Sequence, residues 1–273
     1  MVEVDRILAC RDYNLRSWSR LSARDDVHTR AWLEGFDPLF TVYLRLRNRR
    51  ITSRKEFYET AFVLDRLSDI LAETTSLYEM GAGHGMLGTF ACILHPGLRR
   101  VVHVDRRRAA CYDRVLESSA KVFPYVKRRV RFKNASLHSL ASLKPGALVL
   151  GVHCCGALTD RVAEAARAVH SPFVVMPCCE SRSLLMHHGK KDSLRGEDIA
   201  DAVNVQRVER WRQWGYRVEE RRVPERVTAR NRLFVATLVQ RVASPCLSET
   251  PGANAAASVL LGHARHGSDR RAF

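Results

Sequence analysis

The sequence has no apolar run of the roughly 20 residues that a membrane-spanning helix needs. Its longest apolar runs, such as Ala147–Val152 and Phe173–Met176, are strand-sized. No apolar h-region follows the N-terminus, so no signal peptide is expected. No C-x2-C pair occurs among the eight cysteines, although that spacing lets two thiolates grip one structural zinc ion without strain. Four of the cysteines form adjacent pairs instead, so no metal site is expected and small buried thiols packed under a ligand site are favoured. The chain reads as a cytoplasmic enzyme rather than a small disulfide-framed secreted domain. Acidic charge is short: 29 Asp and Glu stand against 45 Lys and Arg, a net of +16. No internal repeat is seen. What remains is a chain of 273 residues, 46% hydrophobic, with room for one large domain and an appendage around a proper core.

The most informative stretch present is Leu77-Tyr-Glu79-Met-Gly81-Ala82-Gly83-His-Gly85-Met-Leu-Gly88, which reads as strand, glycine turn and helix start. Glycines in the turn let the backbone approach a ligand closely, because no Cβ intervenes. A second strand, Arg100-Val-Val-His-Val-Asp105, ends in an acid. Glycine loop plus distal carboxylate is an arrangement that holds a nucleoside, backbone against the ligand and carboxylate on the ribose hydroxyls. A dinucleotide fold prefers G-x-G-x-x-G; counted from Gly81, position 86 is Met and that pattern fails.

The run Glu79-x-Gly81-x-Gly83-x-Gly85 resembles motif I of class I S-adenosylmethionine-dependent methyltransferases. The resemblance implies that Gly81, Gly83 and Gly85 lie along the methionine part of S-adenosyl-L-methionine and that Asp105 holds its ribose; Glu79, Ala82 and His153 are further cofactor-side candidates. Many class I enzymes carry an acid for the adenine amino group after the third strand; here Asn134-Ala135-Ser136 stands there, with Ser136 as the candidate contact.

Strands and helices alternate along the chain, which predicts a parallel sheet with right-handed crossovers. A helix is expected over Lys55–Leu71, from the near-helical period of Phe57, Ala61, Leu64, Leu67 and Leu71. Strands are expected at Leu77–Met80, Val101–Val104, Val130–Phe132, Ala147–Val152 and Phe173–Met176, and helices at Met86–Leu94, about Ala109–Phe123 and near Thr159–Val169. A polar segment, Glu180–Ala200, precedes a helix at about Asp201–Trp214 and two final strands, Arg217–Val223 and Arg232–Leu238. The alternation gives a Rossmann-like α/β fold with a mostly parallel seven-stranded sheet; the resemblance to class I methyltransferases implies an antiparallel last strand, and two late strands joined without a helix fit that. The domain reading is a basic helical extension over 1–54, a methyltransferase domain over 55–241, and a tail over 242–273 expected to be disordered. Within the first 75 residues, arginines such as Arg45, Arg47, Arg49 and Arg50 alternate with Trp18, Trp32, Phe36, Phe40, Tyr43, Phe57 and Tyr58, and most of these aromatics are expected in the helical core.

Strand four ends in His153-Cys154-Cys155-Gly156-Ala-Leu-Thr159-Asp160 and strand five in Pro177-Cys178-Cys179-Glu180. In an open parallel sheet, ligands bind at the carboxyl ends of strands near the switch in strand order, so His153, Cys155, Cys178 and Cys179 should converge where a methyl acceptor would sit. The H-x-C-G-x-x-T-D and P-C-C segments resemble the methyltransferase-domain family that includes glutathione S-transferase C-terminal-domain-containing protein. They are also similar to the eukaryotic enzymes that 2′-O-methylate the tRNA acceptor stem. His153 or Asp160 could take a proton from an oxygen acceptor, and Cys155 or Cys178 could serve as a thiolate nucleophile. Gly156, Pro177, Cys179, Asn231 and Arg232 are the substrate-side candidates. The D/N-P-P-Y/F motif of many nitrogen methyltransferases is absent, as is the Asp before Pro-Cys expected of cytosine-5 enzymes. The charge favours RNA, with tRNA put forward by the resemblance alone. An acidic protein substrate and a non-catalytic nucleic-acid binder remain open alternatives.

Overall fold

Four strands that are buried along nearly their whole length require cover on both faces of the sheet. They are β1 (Ser76–Met80), β2 (Arg100–Asp105), β4 (Leu148–Val152) and β5 (Phe173–Met176). The structure is a computed structural model describing residues 37–48, 51–136, 143–185, 197–225 and 227–239. With β3 (Val130–Asn134), β6 (Tyr216–Arg222) and β7 (Arg232–Leu238), the strands form one seven-stranded sheet in the order β3-β2-β1-β4-β5-β7-β6. The strands β1 to β5 pair in parallel, and β7 runs antiparallel to both β5 and β6. The Rossmann-like α/β fold with an antiparallel last strand is therefore observed. The strand order reverses between β1 and β4, which places the ligand crevice of an open sheet at their carboxyl ends.

Alternation along the strands sorts the core into two layers. Leu77, Val101, Leu148, Leu150, Val174, Leu233 and Val235 face α1 (Asp37–Asn48), α2 (Arg54–Arg66), α3 (Ser68–Ala72), α4 (Met86–Leu94), α5 (Tyr112–Ala120) and α6 (Val126–Arg129). Tyr78, Val102, Val149, Phe173, Val175, Phe234 and Ala236 face α7 (Ala157–Ala168) and α8 (Glu197–Gln213). A short 3-10 turn lies at Arg182–Leu184. Helix α1 belongs to the first layer: Leu39, Val42, Tyr43 and Leu46 are buried, with the Tyr43 ring 4.2 Å from that of Phe57. Tyr43, Phe57 and Tyr58 are thus core aromatics; Trp18, Trp32 and Phe36 lie outside the described residues.

Some boundaries differ from the pattern-based expectation. The single helix expected over Lys55–Leu71 breaks at Leu67, whose φ of −112° and ψ of 6° turn the chain so that Leu67 and Leu71 both reach the core. The helix expected from Ala109 begins at Tyr112, and α8 begins at Glu197, inside the polar segment. Residues 186–196 of that segment lie outside the described residues, as does the expected tail. The chain divides into two units, 1–239 and 240–273, of which the second falls wholly outside them.

Candidate active site

The site starts at the carboxyl end of β1. Past Met80 the amides of Gly81 and Ala82 both donate to Val104 O, at 2.8 and 3.3 Å, so the loop folds over the end of β2. Gly83 donates its amide to Asp105 Oδ2 at 3.0 Å, and Arg107 donates its own to Oδ1 at 3.2 Å. Two amides thus aim the Asp105 carboxylate at the loop. Gly83 has a φ of +53°, and a β-carbon there would meet no protein atom within 4 Å. The space above it belongs to a cavity of about 420 Å³, within the size range of small-molecule sites.

That cavity is walled by Gly81, Ala82 and Gly83 from the loop, Val152 and His153 from the end of β4, and Lys55, Glu56, Glu59 and Thr60 from α2. Helix α2 is fixed there by a capping box: Glu56 N donates to Ser53 Oγ at 3.1 Å and Ser53 N to Glu56 Oε2 at 2.8 Å. Its acids meet histidines of the opposite wall, His84 Nε2 lying 3.8 Å from Glu56 Oε1 and His153 Nε2 lying 2.9 Å from Glu59 Oε1. The His84 contact, helped by the cap, outweighs burial and holds Glu56 down at about 2. Burial alone would raise Glu59, but His153, Thr228 and Lys55 together more than offset this and keep the carboxyl below its ordinary value. His153 has a φ of +57°, a strained conformation for a non-glycine residue. It is held by its amide bond to Met176 O at 3.0 Å. Strain kept by surrounding structure is often found where a side chain must be aimed at a ligand.

Glu79, also on the cavity wall, turns mainly inward. Its Oε2 accepts the Gly88 amide at 2.8 Å and lies 3.2 Å from His103 Nε2, off the angle of a hydrogen bond. His103 Nδ1 is 2.8 Å from Tyr112 Oη. Burial pushes Glu79 up to about 7, His103 down to about 3 and Tyr112 up to about 12. Asp105 and Ser136 are not walls of the cavity. Ser136 stands just beyond β3, where Ala135 N donates to Asp105 O at 3.0 Å.

Residues 54–184 match a family model described as a methyltransferase domain. The matched segment runs from α2 to the turn after β5, so it includes every wall of the cavity. The methyltransferase domain of the bacterial CtHen1 protein is similar in chain path: 14% identity, covering 66% of this chain and 96% of that one, TM-score 0.43. A Corynebacterium glutamicum protein is also similar, at 14% identity, with 79% and 98% covered and a TM-score of 0.49. A third likeness is precorrin-6y C5,15-methyltransferase from Geobacter metallireducens, at 15% identity, with 64% and 88% covered and a TM-score of 0.38. No curated protein matches the chain.

The acceptor-side candidates separate into groups. Cys154 is buried beneath the loop: its Sγ donates to Met80 O at 3.2 Å, and burial pushes the thiol up to about 12. Cys155, Cys178 and Cys179 come together beside it, Cys155 Sγ lying 2.7 Å from Cys178 Sγ. Burial and neighbouring thiols raise Cys178, and burial raises Cys155. Gly156 adopts φ +59°, ψ −129°, open essentially only to glycine, and its amide donates to Cys179 O at 2.9 Å. Asp160 turns away from the cavity toward α8, where Arg207 Nη2 contacts it at 3.0 Å and Arg210 pairs with it too. Pro177, Asn231 and Arg232 line a separate hollow of about 190 Å³, and there Arg232 is paired with Glu220 and Asp201.

Sequence reasoning missed Lys55, Glu56, Glu59 and Thr60 as cavity walls; the Ser53-x-x-Glu56 capping box was the one legible signal of where α2 begins. It also missed Gly88. Counted from Gly83, the run Gly83-x-Gly85-x-x-Gly88 does have the G-x-G-x-x-G spacing. Gly88 takes the helix-packing role of that third glycine, since a β-carbon there would lie 2.6 Å from His103 Nε2 and 2.9 Å from Val101 Cγ1.

Proposed function

We propose that the chain is an S-adenosyl-L-methionine-dependent methyltransferase acting on RNA, with tRNA the first substrate to try because of the sequence resemblance. The observation that carries this reading is the cavity between the glycine loop, α2 and His153 at the strand-order switch. Its walls suit a zwitterionic nucleoside ligand. Backbone at Gly81 to Gly83 leaves room for close approach, Lys55 supplies a cation for a carboxylate, and Glu56 and Glu59 supply anions for an amino group and a sulfonium. Asp105, held by two amides, retains lone pairs for ribose hydroxyls. When bound, the cofactor supplies the methyl group and its thioether leaving group.

The chain's own part is to align the acceptor and take its proton, since positioning contributes much of the rate of a displacement. His153 is the candidate base in this reading. Its backbone is strained into place, and the Glu59 carboxylate stands 2.9 Å from Nε2 on the facing wall. The RNA part rests on the +16 net charge and on Arg106 and Arg107, exposed in the turn directly after Asp105.

Calorimetric titration with S-adenosylhomocysteine, with NAD as the comparison ligand, tests the cofactor. Micromolar binding of the former alone is expected, weakened at least about tenfold in Asp105→Ala by loss of ribose hydrogen bonds. Binding of NAD alone, or of neither ligand, would sink the proposal. Transfer of tritiated methyl to total RNA rather than to protein decides the substrate class.

A further inference from the structure

Three thiols converge outside the cavity. Cys155 follows β4, while Cys178 and Cys179 follow β5, yet all three Sγ atoms lie within 4.8 Å of one another, and those of Cys155 and Cys178 are 2.7 Å apart. The backbone holds them there. Val152 is in register with Met176, and the pairing continues past the strands through His153 N to Met176 O at 3.0 Å and Gly156 N to Cys179 O at 2.9 Å. Cys155 and Cys179 are exposed and Cys178 is half-buried, so an ion in solution can reach the cluster. The neighbouring Cys154 takes no part, since it is buried and bonded to Met80 O.

We propose that Cys155, Cys178 and Cys179 bind one zinc ion. Three soft sulfur donors select zinc or copper(I) over magnesium or calcium. A tetrahedral ion with Zn–S bonds of about 2.3 Å sets its sulfurs about 3.8 Å apart, which falls between the closest and widest separations allowed by this triangle. Each thiol gives its proton to solvent as its sulfur takes up the metal, and the fourth position stays open to water or an incoming ligand. The ion would clamp the ends of β4 and β5 beside His153. Sequence spacing argues against zinc because the ligands come from two adjacent strands rather than from one C-x2-C turn.

The test uses the full chain, purified under reductant, cleared of metal and titrated with zinc against a chromophoric chelator. A parallel titration with cobalt(II) reads the sulfur-to-cobalt charge-transfer band. One equivalent of zinc and an intense band in the wild type are expected. Cys155→Ser, Cys178→Ser and Cys179→Ser should each weaken zinc by more than about tenfold, since loss of an outer-sphere partner alone can cost that much. Cys92→Ser, at a buried thiol near Leu98 O, should leave binding unchanged. The proposal is overturned by a reduced wild type that takes up no zinc and shows no cobalt band, or by zinc uptake that all three variants retain. A Cys155–Cys178 disulfide found by mass spectrometry, in a chain that binds no metal after reduction, would also overturn it. None of these readouts needs methyl transfer, so failure here and failure of the methyltransferase reading are distinguishable.

Discussion

Gly88 and Glu79 show how much of this site rests on single atoms. A β-carbon at position 88 would stand 2.6 Å from His103 Nε2 and 2.7 Å from Glu79 Oε2, both buried side chains. Gly88→Ala should therefore cost about 1–3 kcal/mol by overpacking, read as a lower urea midpoint at unchanged slope; an unshifted midpoint would show that α4 can back away from the sheet. Glu79 has a pH signature. Burial first, then the nearby Asp105 charge, raises its carboxyl from 4.5 to about 7, against the opposing Gly88 amide and His84. The native chain therefore keeps a proton that the unfolded chain has lost. Stability from this group is fully present below about pH 4.5 and fades as pH rises through about 7, by about 3 kcal/mol in all. His103 has the opposite sign. Its depressed native value gives stability present above 6.5 and lost as pH falls toward about 3. That contribution is shared by wild type and Glu79→Gln, so the difference between their unfolding free energies isolates Glu79. A difference flat with pH would mean that Glu79 is ionised in the native chain.

Among the elements, α7 and α8 are locked by one buried cation. Arg207 is 2% exposed and bonds Asp160, Gly156 O at 2.8 Å and Asn204 Oδ1 at 3.2 Å, with Glu180 Oε1 at 4.0 Å. Taking away one partner of a buried ion pair leaves the other charge uncompensated, so Arg207→Met should destabilise by about 3 kcal/mol or more. Chemical unfolding at neutral pH measures this, and a loss below about 1 kcal/mol would mean that Arg210 alone satisfies Asp160. Asp160 was a legible acid in a legible motif. Its partners, Arg207 and Arg210, lie on a helix some fifty positions further on, and periodicity could not bring them together. Strand positions were easier to read, because β1, β2, β4 and β5 are short, largely apolar runs buried on both faces.

At the scale of the molecule, the insertion of β7 between β5 and β6 separates this sheet from a doubly wound dinucleotide-binding one of order 3-2-1-4-5-6. This matters because the glycine run satisfies both spacings, depending on which glycine the count starts from. The whole-chain charge makes its own prediction. If arginines meet phosphates, RNA affinity falls linearly with salt on logarithmic axes; three contacts to a single strand would cost roughly twentyfold between about 0.05 and about 0.2 M salt. Filter binding across that range measures the slope, and a flat response would point to a protein or small-molecule acceptor.

Local physics was enough to read the strand, glycine turn and helix around Gly81–Gly85, the distal Asp105 and the parallel sheet; the antiparallel end came from the resemblance. Backbone freedom at glycine and side-chain alternation are properties of neighbouring residues. The tertiary structure decided the rest. It brought α2 across the loop so that Glu59 meets His153, and it turned Glu79 inward to Gly88 and His103. Each of these contacts joins residues from separate elements, and only the packing of those elements determines which side chains share a site.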